Sequence, residues 1–269
     1  MTTTTLTVLT PVSHGDGVEG NVTMAKRVTV ITGDGPKQVP HLSANALRGV
    51  LRRHGAERMF AMLNVEPGEV PPAAVYAAAN GGSLQATKKP LSTRDVHDLR
   101  QAVPHLGLFG CSGGGQIIPG SLIVDMPLLR CVERGNSPLS GDKQLVELTG
   151  TRHARLPGNL AALASDDDEE SNQMIYTFDA IAEGAVFDWG WSIRPGAPDI
   201  AHSWWTVCLA DWVASGCHVG GRSATGHGRV RLEDRIIDDL ARVAKPDLEA
   251  CTAWHEQHRT EILSWLTRL

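Results

Sequence analysis

Ten consecutive positions, Gly220 to Arg229 (GGRSATGHGR), hold four glycines, two arginines, a histidine and two hydroxyl residues. Glycine removes the Cβ where a chain turns sharply or where a phosphate backbone must approach the main chain closely. Arg222, His227 and Arg229 are spaced to meet such a phosphate, and Gly220, Gly221, Ser223 and Gly226 shape the loop that carries them. The same spacing also suits a tight turn before an edge strand. A second basic set lies in VPHLSANALRGVLRR, where Ser43 is a good N-cap and Arg48 and Arg52 follow one turn apart on the helix it opens. Alone, that pattern is an ordinary capped helix with a solvated basic face.

Metal and acid-base chemistry have weaker support. The eleven histidines include His14 beside Asp16, His202, His218 with His227, and His255 with His258, none at a spacing such as H-E-x-x-H. Five cysteines (Cys111, Cys131, Cys208, Cys217, Cys251) are scattered without a C-x-x-C pair and are expected to be reduced, mostly buried thiols. No metal, no cofactor and no conventional enzymatic activity are expected. The seven tryptophans do not promise base stacking either: Trp189, Trp191, Trp205 and Trp212 fall on apolar periods and belong in the core, leaving Trp204 as the best candidate for the surface.

A net charge of −5 argues at first against a polyanionic partner. However, Asp166 to Glu170 supply five of the thirty acids, so the rest of the chain is formally neutral. Residues 1–60 carry seven Lys or Arg against four acids, and His218 to Arg231 carry three Arg and no acid. Local basic surface is therefore available. With no uninterrupted apolar run of membrane length and no basic, apolar leader at the Thr-rich start, the expected location is the cytoplasm, with no membrane partner.

The elements that would position these residues follow from periodicity. Thr5 to Thr10 alternates as a half-buried strand closed by Pro11, a second β-like run spans Val28 to Ile31, and a turn follows around Gly33 to Pro36. A first helix runs from Ser43 to about Leu63. Residues 66–105 read as a helical insertion rich in breakers, with a helix capped by Thr93 and reaching about Val103. LFGCSGGGQIIPG is a connector into the strand SLIVDMPLL, and residues 134–173 show little periodicity. EGAVFDWGWSI is a strong strand, Ser203 to Ser215 a helix, and GGRSATGHGRVRL leads into a last strand before two C-terminal helices, 233–269, separated at Pro246. Strand, helix, strand, strand, helix, strand is the ferredoxin-like (RRM-like) α+β pattern within one domain, 1–269.

Three islands in this order resemble the RAMP superfamily of CRISPR proteins, particularly the backbone subunits of type IV and type III effectors. They are VPHLSANALRGVLRR with its Leu47-Arg48-Gly49 step, LFG before a glycine-rich segment and strand, and GGRSATGHGRVRL, with AEGAVFDWGWSI similar to the family's Gly-Ala-x-Phe strand entry. The resemblance implies a guide-RNA-binding backbone subunit that forms a filament of its own copies along the RNA, with other CRISPR effector subunits and a target nucleic acid as partners. It implies that Ser43 and Asn45 cradle phosphate at a helix N-terminus beside Arg48 and Arg52. Residues 134–173 become a thumb-like hairpin over the guide, with Lys143, Arg152, His153 and Arg155 as its basic members. Related type III subunits cut target RNA with an aspartate in the loop after the first strand. Here that region, NVTMAKRVTVI, offers Met24 and Ala25 with Lys26 and Arg27 beside them, and His14 stands earlier in the loop. Such a loop binds phosphate without cutting it; the alternative is a metal-dependent endoribonuclease using Asp16.

Overall fold

The computed structural model describes residues 1–19, 22–82, 90–113, 115–135, 140–155 and 175–269, with backbone alone for 16–19, 67, 153–155 and 175–176. The first part of the chain forms β1 (Thr2–Val8), β2 (Gly15–Glu19), β3 (Val22–Ala25), β4 (Arg27–Thr32), β5 (Gly35–Pro40) and α1 (Ala44–Leu63). Next come α2 (Pro72–Asn80), α3 (Thr93–Ala102), α4 (Pro104–Phe109), β6 (Cys111–Gly113), β7 (Gln116–Ile118), β8 (Leu122–Val124) and β9 (Leu128–Leu129). The remainder is α5 (Leu145–Leu148), β10 (Thr149–Arg155), β11 (Ile175–Ile181), β12 (Val186–Ile193), α6 (Ile200–Ala214), β13 (Val230–Leu232), α7 (Asp234–Gln257) and α8 (Arg259–Arg268).

Alternation builds the central sheet. Along β1 the even positions Thr4, Leu6 and Val8 are buried while Thr5 and Thr7 are half-buried, and β12 buries Phe187, Trp189 and Trp191 on the same face. The strand order β13-β1-β12-β8, with β9 also on β12, is antiparallel throughout, and Leu6 faces both Phe187 and Leu232. With α1 after β1 and α6 after β12, this is the ferredoxin-like arrangement expected from the sequence. The strand expected at Thr5–Thr10 ends at Val8, because the amides of Leu9 and Thr10 leave the ladder and donate to the Arg229 carbonyl at 2.8 and 3.2 Å.

The tryptophans fill the interior. Trp189, Trp191, Trp205 and Trp212 are buried, with ring centroids of 4.8 Å for Trp189 to Trp191 and 5.5 Å for Trp191 to Trp205. Trp204, expected at the surface, is fully buried because its indole N–H finds an internal acceptor, His105 Nδ1, at 3.2 Å. Burial holds that imidazole neutral, lowering its pKa to about 3. All five cysteines are buried and free.

Three boundaries differ from expectation. The cap of α3 is Ser92, one residue before Thr93, in a reciprocal box with Asp95. The glycine-rich connector contains the end of α4 and the small β6–β7 hairpin. The C-terminal helix does not break at Pro246: α7 runs through it and ends at Gln257, with His258 as its C-cap. A proline forfeits one helical hydrogen bond, but buried Leu240 before it, buried Cys251 and His255 after it, and the Ser203 hydroxyl donating to Asp247 at 2.8 Å keep both halves in line.

A second sheet, β10-β11-β3-β2, stands beside the core. It joins the core through the bridge of Val12 to Ile181 and through buried Leu148 at its base. Its β10 falls within the segment read as a thumb-like hairpin, 134–173, and β11 follows that segment; residues 156–174, with the acidic run, lie outside the described residues. Among the described residues, no helix is long and apolar enough to cross a membrane.

Candidate functional site

The glycine loop is stitched to the segment that leaves β1. Gly221 N–H donates to Ser13 O at 2.9 Å, Gly228 N–H to Pro11 O at 3.0 Å, and Val219 N–H to Gly228 O at 2.8 Å. Gly220 has φ +74° and a Cβ there would stand 2.4 Å from the Ser13 oxygen; Gly228 has φ +86° and a Cβ would meet the Val219 oxygen at 2.1 Å. Only glycine fits those two positions. Between them Ser223–Thr225 makes a 3₁₀ turn, and the Arg222 carbonyl accepts from the Thr225 amide, the Thr225 hydroxyl and the His227 amide at 3.0, 3.0 and 3.3 Å. Ser223, Gly226 and Arg229 are exposed.

The loop lies against the second sheet at one ring. Phe178 of β11 is 2% exposed, and the Arg222 guanidinium carbon stands 4.0 Å from its centroid. His227 meets the same ring edge-on with centroids 5.6 Å apart. Exposed Arg152 on β10 is directly opposite Phe178 in register, and Thr23 of β3 is its partner on the other side. Two separate stretches of sequence, the glycine loop and β10, thus bring Arg222, His227 and Arg152 to one residue.

His14 connects this cluster to the first helix. Its Nε2 accepts from the Ser43 amide at 3.0 Å, its carbonyl accepts from the Lys26 amide at 2.8 Å, and the Lys26 carbonyl accepts from His41 at 3.0 Å. Since Nε2 is an acceptor here, the ring proton resides on Nδ1. Ser43 caps α1 through its hydroxyl, which accepts from Ala46 N–H at 3.1 Å, and Asn45 in the first turn is exposed. Because Ser13 and His14 are adjacent, the glycine loop, the β3–β4 junction and the start of α1 form one continuous region.

Two expected members are withdrawn from it. Arg48 donates to the carbonyls of Leu122 and Phe109, both at 2.6 Å. Arg52, 8% exposed, donates to Phe109 O at 2.6 Å, Gly110 O at 2.7 Å and Ala77 O at 3.3 Å. The carbonyls of Phe109 and Gly110 lie where α4 ends, so that helix leaves acceptors without intrahelical partners and the arginines supply donors, while Leu122 O belongs to β8 and Ala77 O to α2. Burial lowers the pKa of both groups, with Arg194 adding to the effect on Arg48 and Arg48 to that on Arg52, which falls to about 10 and stays charged at neutral pH. Arg52 is buried and Arg48 half-buried among these acceptors. His153 and Arg155 are described only by their backbone, opposite Thr177 and Ile175.

A carboxylate does reach the loop that carries Met24 and Ala25, but from another strand. Asp179 of β11 accepts from Ala25 N–H at 3.4 Å and stands 4.0 Å from the Arg27 guanidinium. These two contacts tie β11 to the β3–β4 junction. Among the described residues no group of three or more His, Cys, Asp or Glu is arranged to hold a metal. Phe178 and Asp179 were both missed in the sequence, although Ile175 to Ile181 (IYTFDAI) is rich in β-branched and aromatic residues and carried the signal of a strand.

No protein-family model matches the sequence. No curated protein matches it either. Among solved structures, the chain is similar to a chain of a Type IV-B CRISPR complex, with a TM-score of 0.59 and 19% identity over 86% of this chain and 88% of that one. At that identity the likeness establishes a common fold.

Proposed function

We propose that this chain is a guide-RNA-binding backbone subunit of a CRISPR ribonucleoprotein effector, assembling with its own copies along the RNA and with other effector subunits. The observation that carries the reading is the convergence on Phe178: a glycine loop stripped of Cβ atoms at its base brings Arg222 and His227 to the same place as Arg152. Exposed Arg229, the helix N-terminus at Ser43 and Asn45, and the Lys26–Arg27 pair extend it into a cationic track suited to phosphates. The likeness to a chain of a Type IV-B CRISPR complex supports the same assignment. All seven tryptophans are buried or half-buried, so contact is dominated by the sugar-phosphate backbone, which suits guides of any sequence.

The subunit holds RNA without cutting it. The carboxylate nearest the Met24–Ala25 loop is engaged by Arg27 and the Ala25 amide. The test is to purify the protein, recover the nucleic acid that travels with it, and incubate the assembly with complementary labelled RNA and Mg²⁺. Co-purifying RNA with an evenly spaced nuclease footprint and an intact target is the expected result. Absence of bound RNA overturns the assignment, and regular cuts that vanish in Asp16→Ala or Asp179→Ala establish the endoribonuclease instead.

A further inference from the structure

Arg222 is the one charged residue in the chain's described part that occupies the left-handed region, with φ 66° and ψ 27°. A non-glycine residue there costs on the order of 1 kcal/mol. The loop has four glycines that could have taken such a conformation, yet at this position it keeps an arginine. What the strained backbone achieves is visible: it lays the guanidinium over Phe178 at 4.0 Å, where the ring is itself fixed by His227 on its edge. Phe178 is buried and Arg222 is half-exposed, so the guanidinium forms the outer layer of the stack. On the outer side of the loop Ser223, Ala224, Thr225 and Gly226 are exposed, and among the described residues a Cβ on Gly226 would touch nothing within 4 Å.

We propose that the Arg222–Phe178 stack is a platform for a nucleobase, the flat guanidinium receiving the base while Arg152 and Arg229 meet flanking phosphates. A guanidinium plane stacks on any base and carries charge besides, so it gives sequence-tolerant base contact to a protein whose tryptophans are turned inward. The proposal deepens the RNA-binding reading and rests on it.

Abasic RNA separates base contact from phosphate contact, and lysine separates a plane from a charge. Binding of a single-stranded RNA and of an abasic strand of equal length is measured for the wild type and for Arg222→Lys at one salt concentration. A 2-aminopurine in the base-bearing strand reports stacking by quenching. The wild type should prefer the base-bearing strand about tenfold and quench the fluorophore. Arg222→Lys should lose the preference and the quenching, so that it binds the two strands with equal affinity. Equal wild-type affinity for both strands, or a preference that survives in Arg222→Lys, sinks the platform and leaves RNA binding standing. Failure of the wild type to bind either strand overturns both.

Discussion

Two basic segments look alike in the sequence, and the fold uses them in opposite ways. On α1, Arg48 and Arg52 point inward and close the carbonyls at the end of α4 and the start of β8. In the glycine loop, Arg222 and Arg229 remain at the surface, one laid over Phe178 and the other exposed. The difference is in what lies across from them. α1 buries its Leu47–Leu51–Met59 face against the core, and the neighbouring turn of that face meets acceptors that only a long cationic donor can reach. The glycine loop instead lies against Phe178 of the second sheet, and its arginines keep part of their surface outside. A count of charges cannot distinguish these cases, because the deciding partners are backbone groups distant in sequence.

The largest effect should come from breaking the inward set. Arg52→Met keeps the length of the side chain and removes the donors, leaving Gly110 O and Ala77 O without their charged partner. A loss of about 3 kcal/mol is expected, read as a fall in Tm of roughly 10 °C. Any RNA that the folded variant binds should show an unaltered salt dependence. A stable Arg52→Met protein with a weakened salt dependence would reverse the comparison and return Arg52 to the interface.

A second, smaller effect sharpens the comparison inside the loop. Gly228→Ala sets a Cβ 2.1 Å from the Val219 oxygen at φ +86°, whereas Gly226→Ala at φ +81° enters open space. The first should cost about 2 kcal/mol or more, since backbone has to shift, and the second about 1 kcal/mol from the left-handed conformation alone. Chemical denaturation of the two variants measures the gap. Equal losses would mean that the loop base is not held against Pro11–Ser13 in solution.

Much of the core was legible. The α1 cap at Ser43, the alternation of β12, the apolar spacing of α6 and the turn before β13 are local signals, and each element formed where its period placed it. The failures share a different cause. Trp204 is buried because His105, ninety-nine positions away, accepts its N–H. Pro246 is carried within a helix by packing on both sides of it. Arg52 is interior because α4 ends beside it. Of the candidate site, the loop and its cations were readable, but Phe178 was not recognised as their meeting point, since parallel pairing of β11 with β3 leaves no mark in either strand.

The smallest effect tests the outward set directly. Arg152 and Arg229 are exposed, one on β10 and one at the end of the glycine loop, and neither supports a buried acceptor. Replacing both with alanine should leave stability within about 0.5 kcal/mol of the wild type. Each phosphate contact contributes roughly 0.7 to the slope of log affinity against log salt for a single strand, so the double variant should flatten that slope by about 1.4. The loss should be equal for RNAs of different sequence, because a phosphate carries no base identity. A titration series over salt with two unrelated RNAs gives both quantities at once. An unchanged slope would place the track elsewhere on the surface and leave only the α1 terminus and the Lys26–Arg27 pair to carry it. A loss that differed between the two RNAs would show that these arginines read base identity and do not merely meet phosphates.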